Sequence, residues 1–149
     1  MEPVDVVVGG GEHEHLTISV LGYEFPEGGD AFEGGWLRAT LTAETRGFRG
    51  SLVNDPCLTV FELVRWRKDL QRLHRTLRGV AVLDPTEPYL QVSARSSGRG
   101  AIALEVVLRG QADAQGPELR FHLDLDQTYL PGIIAGLLAV ESAFPPQRS

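Results

Sequence analysis

The residues most able to do chemistry are few and scattered. In GGGEHEH, residues 9–15, His13 and His15 point the same way on an extended chain. With His122 or an acid they would supply a donor set for Zn²⁺. Three successive glycines would also let a backbone approach phosphate, but no lysine or threonine follows in the P-loop position, and Glu12 and Glu14 repel an anion. Cys57, the only cysteine, needs a histidine beside it to act as a nucleophile. Between Pro56 and Leu58, just ahead of an apolar periodic run, it reads instead as a buried, inert thiol. Asp124 and Asp126 would be an acid/base pair only if one were desolvated. Alternation in LRFHLDLD, residues 119–126, turns both away from the leucine face, where water keeps carboxylates ionised. No nucleophile elbow, dinucleotide fingerprint, His-Glu-x-x-His or paired-cysteine motif occurs. The sequence therefore writes no reaction and implies no cofactor. A small enzyme or metal-binding protein using His13, His15 and His122 is the alternative reading.

The elements that must carry these residues are legible from periodicity. Residues 4–8, 15–22, 36–45 and 48–53 read as strands separated by glycine-rich turns, and Arg46-Gly47 joins the third to the fourth as a hairpin. Thr59-Val60-Phe61-Glu62 fits a capping box, predicting a helix over 60–77. Val60, Leu63, Trp66, Leu70, Leu73 and Leu77 form its buried stripe, and Arg65, Lys68, Arg72 and Arg75 the opposite one. Gly79 is expected to supply the left-handed close. Strands resume at 79–83, 89–95, 101–109 and 118–125. In LDLDQTYLPGII, residues 123–134, alternation gives way to helical spacing, so Asp126 or Thr128 is expected to cap a helix over 129–142, with Pro131 harmless in its first turn.

This pattern predicts an α+β protein: an antiparallel sheet of about eight strands with two helices on one face, in the order four strands, helix, four strands, helix. The 149 residues suit a single domain, and the repeated order suggests a degenerate duplication of about 1–78 and 79–144. Lone Cys57 gives no disulfide, MEPVDVVVGGGEHEH lacks a signal peptide's basic region, and the uncharged run 129–140 is too short to span a membrane. A cytoplasmic protein with no membrane contact is expected. Gly132 and Gly136 would permit close packing of the last helix against a second copy, which leaves the oligomeric state open.

Charge is unevenly placed. The net charge is −6, and residues 1–37 hold eight of the 20 acids and no lysine or arginine, whereas Arg65, Arg67, Lys68, Arg72, Arg75 and Arg78 crowd into fourteen residues. An acidic total opposes general nucleic-acid binding. The acidic loop with Glu24, Glu27, Asp30 and Glu33, ending at Trp36, has the charge and the aromatic anchor expected of a partner-binding site for a basic protein. Trp66, by contrast, belongs to the core.

LTISVLGYEFPEGGD (16–30), GGWLRATL (34–41), NDPCLTVFEL (54–63), LRGVAVLDPTEPYLQV (77–92) and LRFHLDLDQTYLPGII (119–134) together resemble the WapI-like immunity proteins. The resemblance runs in order from about residue 16 to 144 and consists of strand ends and helix starts. It implies a non-enzymatic cytoplasmic protein that binds and neutralises a bacterial toxin domain, often a nuclease. On that reading Asp126-Gln127-Thr128-Tyr129 is a folding junction, and the acidic loop draws in a basic toxin.

Overall fold

The structure, a computed structural model, describes residues 2–11, 13–25, 35–111 and 115–146, with the backbone alone for 11 and 53–57. Two antiparallel meanders dominate it. The first comprises β1 (Val4–Gly11), β2 (Glu14–Tyr23), β3 (Trp36–Thr45) and β4 (Phe48–Thr59), paired in that order. Helix α1 (Val60–Thr76) follows without a loop. The second meander is β5 (Gly79–Leu83), β6 (Leu90–Ser96), β7 (Ala101–Arg109) and β8 (Glu118–Asp126), again in sequential order. A 3₁₀ turn, Gln127–Tyr129, leads into α2 (Leu130–Ala143).

The expected α+β class and element order are thus present. Among the described residues the eight strands divide into two four-stranded sheets. Helix α1, which separates them in sequence, packs against β5. Trp66, buried on α1, points its indole at β5, where Nε1 donates to the Ala81 carbonyl at 3.4 Å. The outer edge of β5 is therefore covered by α1 and is not available to β4. Strand β8 lies across one end of the first sheet: Leu125 approaches Gly10 of β1, and Leu119 approaches Gly50 of β4. The strands of the two sheets thus cross, and their inner faces share one apolar core. In β2 and β3 the alternation buries Leu16, Ile18, Val20, Leu37, Leu41 and Ala43, and in β8 it buries Phe121, Leu123 and Leu125.

The helices pack on each other, α1 along β5 and α2 along β1. The predicted α1 stripe is the one buried. α2 sits so close to β1 that a Cβ on Gly136 would come within 3.3 Å of the Val6 Cα, so this glycine's close approach is used inside the chain. The middle of α1 is clamped to the last turn of α2. The Arg67 guanidinium forks onto Glu141, Nε to Oε2 at 2.8 Å and Nη2 to Oε1 at 2.7 Å, and its Nη1 donates to Gln71 at 3.0 Å.

Three local expectations change. The fourth strand, expected over 48–53, extends to Thr59 and runs straight into the helix, and register shifts opposite Leu37, Ala39 and Leu41 absorb the extra length. Pro56 is tolerated because β4 is an edge strand whose outer amides need no ladder partner. The left-handed residue closing α1 is Leu77, with φ 55°, ahead of Gly79. Its N–H donates to the Leu73 carbonyl at 2.7 Å, and its carbonyl accepts from the Ser96 hydroxyl at 2.7 Å. Finally, Asp126 caps the 3₁₀ turn, accepting from the Thr128 amide at 2.8 Å, whereas α2 itself has no side-chain cap and carries Pro131 in its first turn. No described helix is long and apolar enough to cross a membrane.

Candidate partner-binding surface

Of the residues expected to meet a partner, Glu24 and Trp36 lie at the joint between β2, β3 and α1. Glu24, half-buried just past β2, donates its N–H to the Trp36 carbonyl at 3.0 Å, which ties together the two ends of the acidic segment. Glu27, Asp30 and Glu33 lie outside the described residues. Trp36 is half-buried and pairs in register with Thr59, the residue that starts α1. That start is well fixed. The Thr59 hydroxyl accepts from the Glu62 amide at 3.2 Å, and the Glu62 carboxylate takes the Thr59 amide at 2.8 Å and the Thr86 amide at 2.7 Å. The capping box read from the sequence is therefore real, and it also holds the β5–β6 connection against the helix.

Phe61, one residue into α1, is 44% exposed although the core is near. Its ring lies over Gly35, where an added Cβ would stand 2.3 Å from the ring, so only glycine allows this contact. Phe25, at the other end of the acidic segment, is 41% exposed. Phe61 joins Trp36 at this surface without having been expected there. The available signal was an aromatic that falls off the helix's apolar stripe, one turn before Arg65. Beside Phe61 a cleft of about 500 Å³ is lined by Glu62, Arg65, Val82, Asp84 and Thr86. The carboxylates there are engaged, Glu62 as described and Asp84 by the Gln91 amide at 2.8 Å.

The other candidates are not brought together. His13 stands in the β1–β2 turn, 3.6 Å from Glu44, and His122 lies on the outer face of β8, 2.9 Å from Glu105, which also takes Arg120 at 2.7 Å. His15 is half-buried in β2. Among the described residues no three His, Cys, Asp or Glu side chains converge as metal donors. The side chain of Cys57 is outside the described set. Asp126 is held below the usual carboxylate range by the Thr128 hydroxyl and amide, the opposite of what a general acid needs. Asp124 is exposed, across from Ala103. Burial pushes the Tyr23 phenol up, and that hydroxyl donates to the Pro145 carbonyl, pinning the chain end to the first sheet. Trp66 is 1% exposed, in the core as expected.

No curated protein and no solved structure gave a significant match to the chain. A family model did. The model of the immunity protein WapI-like family matches residues 7–145, which takes in both sheets, both helices and the joint around Phe61, and the chain belongs to that family.

Proposed function

We propose that this protein binds a cognate bacterial toxin domain, a nuclease, in the cytoplasm and neutralises it by non-covalent occlusion, with no catalysis of its own. The observation that carries the reading is the family match over nearly the whole chain. The contact begins at the acidic segment, with Glu24, Glu27, Asp30 and Glu33 attracting a basic cleft and Trp36 anchoring it. Two exposed aromatics, Phe25 and Phe61, support this placement because both flank the segment. The same reading takes the chain as one domain whose halves, about 1–78 and 79–144, are degenerate copies. The repeated meander-and-helix order supports it.

The test is co-expression with the toxin domain encoded by the neighbouring reading frame. Rescue of growth and a stoichiometric complex on size exclusion are expected. A purified toxin domain that stays fully active with excess of this protein refutes the proposal. Neutralising Glu27, Asp30 and Glu33 is expected to slow association and flatten its salt dependence, and Trp36→Ala to raise dissociation.

A further inference from the structure

We propose that the outer face of α1 is a second half of the toxin contact, docking an acidic, partly apolar ridge of the same toxin domain whose basic region meets the acidic segment. The inference rests on the toxin-binding reading. Its first ground is geometry. Phe61, Arg65, Lys68, Arg72 and Arg75 recur at steps of four, three, four and three, so they form one line directly opposite the buried stripe, roughly 21 Å long. Gly35, where the acidic segment ends, lies under Phe61 at the head of this line. The described end of the acidic segment therefore meets the head of the basic line.

The second ground is charge. Arg72 is bridged to Asp69 at 2.9 Å, but Arg65, Lys68 and Arg75 have no ion-pair partner among the described residues. Helix stability favours only Arg75, a cation in the last turn; Arg65, Lys68 and Arg72 stand outside the terminal turns, and like charges three or four residues apart repel. An acidic partner would relieve that repulsion.

The third ground separates protein from nucleic acid. Phe61 and Val82, 44% and 43% exposed, flank Arg65 in the cleft, and Val80 is 40% exposed farther along β5. A ridge of carboxylates interleaved with apolar side chains would cover these surfaces, whereas a phosphate backbone would leave them wet, and the chain's net charge of −6 opposes polyanions. A contact that uses charges of opposite sign also fixes orientation, since a rotated toxin would bring like charges together.

Stopped-flow association with the toxin domain of the neighbouring reading frame tests this. The variant R65E/K68E/R75E is expected to associate at least about tenfold more slowly than wild type near 0.05 M salt, with the gap closing near 0.5 M. R65Q/K68Q/R75Q, which retains long polar side chains on the helix, is expected to show the same effect at smaller size, and it serves if the reversed protein does not fold. Phe61→Ala is expected to raise dissociation about tenfold. Wild-type association rates for both charge variants, with the Glu27/Asp30/Glu33 variant slowed, would overturn the α1 proposal and leave the toxin reading intact. If wild type itself does not bind the domain, both fall. Binding of a fluorescent RNA duplex that the reversed variant loses, with toxin association unchanged, would assign the stripe to nucleic acid and also overturn it.

Discussion

Removing the Glu141 carboxylate should cost more than any other single polar change at the helix interface. Arg67 and Glu141 side chains are 15% and 19% exposed, and both oxygens of the fork are used. Deleting one partner of a fully buried ion pair costs about 3 to 5 kcal/mol, because the survivor keeps a desolvated charge. Here a sixth of the surface still reaches water, and Gln71 retains one guanidinium hydrogen bond, so about 2 to 3 kcal/mol is expected for Glu141→Ala. For a chain of this length that corresponds to a fall in Tm of roughly 5 to 10 °C. The double replacement R67M/E141L removes both charges and fills the same space, so it should return to within about 1 kcal/mol of wild type. Urea unfolding of wild type, R67M, E141L and R67M/E141L, followed by circular dichroism, reads the coupling directly. If Glu141→Ala costs under about 0.5 kcal/mol and the cycle shows no coupling, the fork is screened like a surface pair and does not clamp the helices.

Other expectations rest on single contacts. Thr59→Ala should cost about 1 to 2 kcal/mol, at the upper end for a cap because the threonine is 3% exposed, and an unchanged urea midpoint would show that the capping box adds nothing to β4 pairing. The two glycines of α2 should respond oppositely. Gly132, with open space around it, gains about 0.5 to 1 kcal/mol as alanine, whereas Gly136→Leu drives α2 off Val6 and costs about 1 to 3 kcal/mol; equal Tm shifts would refute the packing. Asp126 titrates lower in the folded protein than unfolded, so its contribution is present above the unfolded value and disappears as pH falls through the lowered folded one. In acid titrations of stability, Asp126→Asn should flatten that part of the profile, and an unaltered slope would remove Asp126 from the account.

Local physics determined the elements and their order. Period-two alternation marked the strands, and Thr59 and Glu62 marked the start of α1, because each signal depends only on neighbours a few residues away. The core was legible for the same reason: Trp66, Leu70 and Leu123 are buried where their periodicity placed them. The acidic and basic poles were visible as composition. Tertiary structure alone decided how the pieces meet. Local pattern ends the fourth strand at residue 53, yet pairing with β3 carries it on to Leu58 and Thr59, a long-range gain that outweighs local preference. That the described strands make two sheets is set by pairing between distant segments, and the bond between Arg67 and Glu141 joins residues 74 positions apart. The candidate site shows the same divide. Glu24 and Trp36 could be named from charge and aromatic content, whereas Phe61 gained its place only because Gly35 folds beneath its ring, a contact between distant residues that leaves no period in the chain.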